Sequence, residues 1–182
     1  GNEADVDALL RVGFPMAYRE PLFLAADRAG VPKGLFYALV REESYFQPAV
    51  KSHAGAVGLS QLLPTTAEEV ADRMGMRAVD LTRPEDNLTI GAEYLAYCIR
   101  LFDSELLGLT AYNAGLGRVR RWLEQFGELP VALFVEAIPI EETRHYVRKV
   151  VRSMTLYAEL YPDIEPALGL PDRKSTRLNS SH

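Results

Sequence analysis

Apolar positions along this chain recur at helical spacing in one segment after another. In "GLFYALVREESYF" (34–46) each residue turns about 100° around a helix axis, so from Leu35 at zero, Leu39 falls at about 40°, Phe36 at about 100°, Val40 at about 140° and Phe46 at about 20°. Together they make one apolar face centred at roughly 60° to 70°. Glu43 falls inside that face at about 80°, whereas Glu42 falls at its edge at about −20°, where it would reach water beside Arg41. A buried, unpaired carboxylate is costly, and desolvation raises its pKa. Glu43 is therefore expected either to be paired with a base or to line a cleft as an acid.

The same periodicity continues downstream. Pro32 stands near the start of the helix just described. "SHAGAVGLSQLLP" reads as a loop passing into one short helical turn. "TTAEEVADRMG" offers Thr65 with Glu68 as a capping box and stops at Gly75. From Pro84 a stripe of Leu88, Gly91, Ala92, Leu95, Ile99 and Phe102 predicts a long helix. "SELLGLTAYNAG" opens on Ser104 as an N-cap and stops at Gly115, and "RVRRWLEQF" makes a short helix ending at Gly127. A last long helix is predicted from Glu141 to Tyr161, with Val147, Val150, Met154, Ala158 and Tyr161 as its buried stripe. Strand-like alternation is limited to a tiny hairpin around Ala49–Ala56. The pattern predicts a mainly α single domain of about seven helices with at most a minimal β-hairpin.

Composition narrows the function classes. With 182 residues and 48% hydrophobic content, the chain can bury a sizeable core. No apolar run reaches the ~20 residues of a membrane span. One cysteine, Cys98, allows no intrachain disulfide, and it and three scattered histidines have no metal-ligand spacing, so no metal or other cofactor is expected. The net charge of −5, without a basic stripe, argues against nucleic acid as a partner. Residues 1–13 read as the remnant of a region that continues upstream, since the chain opens without methionine or a signal segment. At the other end "DRKSTRLNSSH" (172–182) has no periodicity; it resembles a sequencing adapter translated in one frame and reads as a disordered tail.

Candidate chemistry clusters in four places. Glu43 is followed by Ser44, and then by the small-residue loop "KSHAGAVGLSQLLP", where Ser52 and Gln61 stand beside glycines that let a ligand approach the backbone. "TAYNAGLGRV" puts Tyr112 and Asn113 at a helix end, and "IPIEETRHYV" puts Glu142 and Tyr146 at a helix start. Taken singly each has a plain reading: Tyr112 as core, Asn113 as a helix-end residue, Glu142 as a first-turn acid.

Taken together, "LVREESYFQPAVKSHAGAVGLSQLLPTTA", "NLTIGAEYL", "LTAYNAGLGRVRRWL" and "IPIEETRHYVRKV" resemble, in order and spacing, the catalytic domain of soluble lytic transglycosylases, which has a lysozyme-like fold. The resemblance runs over roughly residues 14–162 and implies a catalytic domain at 14–165. It implies that Glu43 is the catalytic acid and base. Ser44, Ser52, Gln61, Tyr112, Asn113, Glu142 and Tyr146 are implied as substrate contacts in one saccharide cleft. The implied reaction cleaves the β-1,4 bond between N-acetylmuramic acid and N-acetylglucosamine of peptidoglycan and leaves a 1,6-anhydro sugar. A carboxyl in an apolar pocket, its pKa lifted to about 6, can protonate the leaving oxygen and then take a proton from the sugar's own C6 hydroxyl. Implied as well are peptidoglycan strands as partner, a bacterial periplasm or cell envelope as location, and a superhelical N-terminal domain outside this chain. The sequence departs from the family at Glu42 (commonly Gln), Ser60 and Leu63 (frequently Met) and Leu116 (usually Pro). Two alternatives remain: a hydrolase of the same fold, goose-type lysozyme-like, and a glycan-binding envelope module without activity.

Overall fold

The computed structural model describes residues 2–165, so the segment read as a tail, 172–182, lies outside the described residues. Nine helices occur among the described residues: α1 (Glu3–Gly13), α2 (Arg19–Ala29), α3 (Lys33–Ser44), α4 (Pro64–Met74), α5 (Pro84–Phe102), α6 (Glu105–Ala114), α7 (Leu116–Phe126), α8 (Val131–Ala137) and α9 (Glu141–Leu160). The mainly α expectation holds, with α1, α2 and α8 beyond the helices that periodicity predicts. Two antiparallel bridges, Lys51 with Val57 and Val57 with Leu62, are the only β pairing among the described residues.

The described chain divides into two compact units, one formed by residues 2–94 with 150–165 and the other by 95–149. In the first, α3 is buried on every side: Gly34 to Val40 are all inaccessible. An unbroken run of small and apolar residues is what such a helix requires. This overturns the single apolar face expected for α3, since the side that the wheel gave to water is covered. Gly34 shows how tightly, because a Cβ there would fall 2.7 Å from Ile164 and 3.7 Å from Met154.

Four side chains of this unit bond the backbone from the last residue of α1 to the approach to α2. Arg41 Nε donates to the Gly13 carbonyl at 2.8 Å, and the hydroxyls of Tyr161, Tyr157 and Tyr37 donate to the carbonyls of Phe14, Pro15 and Ala17 at 2.7, 2.9 and 3.1 Å. The Tyr157 ring meets Phe14 edge-on and Tyr37 at 5.2 Å, so the phenols stand in one aromatic cluster. Burial pushes the Tyr37 and Tyr157 hydroxyls well above the usual phenol range.

The helix-end signals hold in part. Ser104 caps α6 by accepting from the Leu107 N–H at 3.2 Å, and α4 closes on Gly75, as expected. The Thr65 capping box does not form: Pro64 takes the first helical position, which needs no N–H partner, and Leu63 becomes the cap residue without a side-chain bond. On α9 the stripe of Val147, Val150 and Met154 continues through Tyr157 and Leu160, whereas Ala158 and Tyr161 are only half-buried. At about 100° per residue Ala158 and Tyr161 stay in phase with Val147, so the buried side turns toward Tyr157 and Leu160 because of what packs there, not because of helix phase.

Candidate functional site

Glu43 lies half-buried on the last turn of α3. The helix ends abruptly after it, because Tyr45 (φ 48°) and Phe46 (φ 62°) both adopt left-handed backbone. Side chains with a Cβ pay for that conformation, so two in succession persist only where the surroundings fix them. Ser44 does part of that fixing. Its buried hydroxyl donates to the Val40 carbonyl and accepts from the Phe46 N–H, both at 3.1 Å. The bonds place Ser44 in the turn that presents Glu43.

Glu42 is not at a solvent edge. Its side chain is only 5% exposed and its Oε1 accepts from Arg41 Nη1 at 2.5 Å and from Ser153 Oγ at 2.6 Å. The wheel assigned Glu42 to water because α3 alone gives no sign that α9 brings Ser153 there. Arg41 is held in turn by Gly13 and lies over the Phe14 ring at 3.9 Å.

Ser52 and Gln61 belong to the same unit, on a loop built from short reciprocal bonds. Ser52 exchanges backbone bonds with Ala56 and Gly55, and its hydroxyl accepts from the Ala56 N–H at 3.1 Å. Val57 and Leu62 pair through both N–H groups, so residues 58–61 form a tight turn in place of the expected helical turn. Gln61 sits in that turn at φ 50°, its Nε2 donating to the carbonyls of Val50 and Gly58 at 3.1 and 3.0 Å. With its amide nitrogen so used, Gln61 has its oxygen left to accept from a ligand.

Beneath the turn lies Asn87 of α5, with no exposure at all. Its Oδ1 accepts from Ser60 N–H at 2.8 Å and Ser60 Oγ at 2.6 Å, and its Nδ2 donates to the carbonyls of Val57 and Leu81, each at 2.9 Å. Ser60 is therefore a fully buried residue directed at Asn87. Gly58 is required here: its φ is +79°, and a Cβ would lie 2.3 Å from Asn87 Nδ2 and 2.4 Å from the Leu81 carbonyl oxygen.

The second unit carries the other residues expected to bind substrate. Tyr112 and Asn113 are half-buried on the last turn of α6, which stops at Gly115 in backbone open only to glycine (φ 93°, ψ 149°) before α7 begins at Leu116. Asn113 Oδ1 accepts from Thr143 Oγ1 at 3.0 Å, which ties the end of α6 to the first turn of α9. Glu142 is exposed on that first turn and Tyr146 follows half-buried one turn later. Arg144 donates to the Ile138 carbonyl, and Arg148 pairs with Glu136, whose carboxyl its hydrogen bond holds below the usual range.

Sequence reasoning missed the supporting residues Asn87, Thr143 and Ser153. A signal exists: each is polar at an apolar phase of its helix, in step with Gly91, Val147 and Val150 respectively. Among the described residues no three His, Cys, Asp or Glu side chains converge as a metal site, and no helix is long and apolar enough to cross a membrane.

Comparison with known proteins gives consistent matches. The model of the family described as "Transglycosylase SLT domain" matches residues 20–135. The soluble lytic murein transglycosylase of Escherichia coli K12 is 38% identical over 144 residues, covering 76% of this chain and 22% of that protein. An inactive Glu-to-Gln mutant of the lytic transglycosylase Slt from Pseudomonas aeruginosa superposes with a TM-score of 0.82 at 35% identity, over 88% of this chain and 27% of that one. A complex of the 70-kDa soluble lytic transglycosylase with bulgecin A gives a TM-score of 0.82 at 33% identity, over 95% of this chain and 28% of that one. The chain thus spans under a third of the length of these relatives.

Proposed function

Because the chain belongs to the transglycosylase SLT domain family, we propose that it is the catalytic part of a bacterial cell-envelope enzyme. It cleaves the β-1,4 bond between N-acetylmuramic acid and N-acetylglucosamine in peptidoglycan and leaves a 1,6-anhydro end. The observation that carries this reading is the presentation of Glu43 on a helix end followed at once by two left-handed residues and secured by Ser44. A turn held this firmly fixes one carboxyl in space, and fixed placement is what proton transfer to a leaving group requires.

In this reaction Glu43 first gives its proton to the glycosidic oxygen as the bond to C1 breaks. The resulting carboxylate then takes the proton of the sugar's C6 hydroxyl as that oxygen closes on C1. Glycosidases that use water generally need a second carboxylate to activate it or to stabilise the sugar cation. Here the substrate's own hydroxyl replaces water, and its N-acetyl group stands in for the second acid. Ser52, Gln61, Tyr112, Asn113, Glu142 and Tyr146 are assigned to saccharide and peptide contacts, with Ser44 supporting the acid. The inactive Glu-to-Gln form of the Pseudomonas aeruginosa neighbour supports dependence on one glutamate.

Digestion of purified peptidoglycan followed by mass spectrometry of the fragments tests the proposal. Anhydro products lighter by one water than reducing-end products are expected. Reducing ends would replace this reading with that of a hydrolase, and no release at all with that of a binding module. Bulgecin A, found in complex with one structural neighbour, is expected to bind.

A further inference from the structure

Asn87 takes no part in the chemistry above, yet its amide is filled to capacity. Two acceptances and two donations are all that a carboxamide makes, and the partners also fix its orientation. The Ser60 N–H and hydroxyl face the oxygen, and Val57 and Leu81 offer two carbonyls to the nitrogen, so a flipped amide would lose the bonds to the N–H and to both carbonyls. Three of these bonds reach residues 57–60, which lie 27 to 30 positions earlier in the chain. The fourth holds the approach to α5 at Leu81. The turn next to Asn87 ends in Gln61, which keeps a left-handed backbone and whose side chain returns to Gly58 and Val50. Asn87 and Gln61 thus share Gly58: one packs against its α-carbon and the other bonds its carbonyl.

We propose that Asn87 is the positioning residue for Gln61, holding the 57–61 turn so that the Gln61 amide oxygen meets a saccharide hydroxyl or N-acetyl group. The inference rests on Gln61 being a saccharide contact. A non-glycine residue at φ 50° persists only if the rest of the turn over-determines it, and the buried amide supplies that determination from below. Ser60, at a position where the family frequently has methionine, adds the hydroxyl bond and makes the anchor stronger in this chain.

The test is steady-state cleavage of a soluble GlcNAc–MurNAc oligosaccharide by the 182-residue chain and by Asn87→Ala, Gln61→Ala and the double variant, each assayed below its own melting temperature. Both single variants are expected to raise KM by about tenfold with kcat changed by less than about threefold, the worth of one lost hydrogen bond in binding. The double variant is expected to be no worse than the poorer single, because both remove one contact. Effects that multiply, or an Asn87→Ala enzyme with unchanged KM, overturn the inference. If Gln61→Ala alone leaves KM unchanged, Gln61 is no saccharide contact and the inference falls with it; anhydro products in the same assay would leave the proposed reaction standing. Should Asn87→Ala fail to fold, Ser60→Ala removes the hydroxyl's bonds to the Asn87 side chain and carbonyl while keeping the Ser60 N–H bond, and is expected to raise KM by about threefold; an unchanged KM there overturns the inference equally.

Discussion

Ser153 Oγ donates to Glu42 Oε1 at 2.6 Å across 111 residues of sequence. The bond, together with Arg41, makes a closed polar cluster inside the first unit and gives Glu42 a structural task next to the proposed acid. Removing one member of a buried ion pair strands the other charge. Glu42→Ala is therefore expected to cost about 3 kcal/mol and Ser153→Ala about 1 kcal/mol of stability, read from urea unfolding. A Glu42→Ala cost no larger than that of Ser153→Ala would show that the pair contributes little.

Glu43→Gln should separate activity from stability. The amide keeps the shape and hydrogen bonding of the side chain but cannot give up and retake a proton. Turnover is expected to fall by at least about a hundredfold with the unfolding midpoint nearly unchanged. Glu42→Gln should do the reverse, keeping most turnover and losing stability. The two variants exchanging these phenotypes would move the acid to Glu42.

Gly58→Ala should be severe. The added methyl has no room between Asn87 and the Leu81 carbonyl, and φ is positive as well, so a loss above about 2 kcal/mol is expected. Gly117→Ala is the control: nothing lies within 4 Å of its would-be Cβ and it is in the first turn of α7, so a gain of about 0.5 kcal/mol is expected. Equal effects by thermal unfolding would contradict the packing described around Asn87.

The buried phenols set the alkaline limit. Burial raises Tyr37 and Tyr157 above their unfolded value, so the folded state holds their protons more tightly than the unfolded chain. The stability they confer is complete below the unfolded pKa of about 10 and is lost as pH rises above it. Phenolate absorbance should show that the nine tyrosines are not all ionised until helical circular dichroism is lost. Smooth ionisation of all nine with the helices intact would refute this.

Much of the fold was written locally. The Ser104 cap, the Gly75 and Gly115 stops and the long stripe of α5 each depend on residues within a few turns, where spacing is informative. The helices that periodicity did not supply have physical excuses: α1 buries no residue, α2 has Pro21 near its start and a short stripe of Leu22, Ala25 and Ala26, and α8 is only seven residues long. The position of Glu43 at a helix end was legible from its own segment. The burial of Glu42 was not, because its partner is Ser153, and neither was the anchoring of the 57–60 turn, because its partner is Asn87. Sequence spacing carries no record of partners that distant.

The four donors that grip the carbonyls of Gly13, Phe14, Pro15 and Ala17 have a consequence for where this protein can be divided. A fragment trimmed to the limits of the family match, 20–135, would keep Tyr37 and Arg41 but lose the oxygens that they bond. It would also lose the whole of α9 and the residue after it, and with them Ser153, Tyr157 and Tyr161. The region that evolution marks as the family is thus smaller than the region that must be inherited as one piece of chain. Any transplant of the proposed activity into another protein would need to begin by residue 13 and run through residue 161.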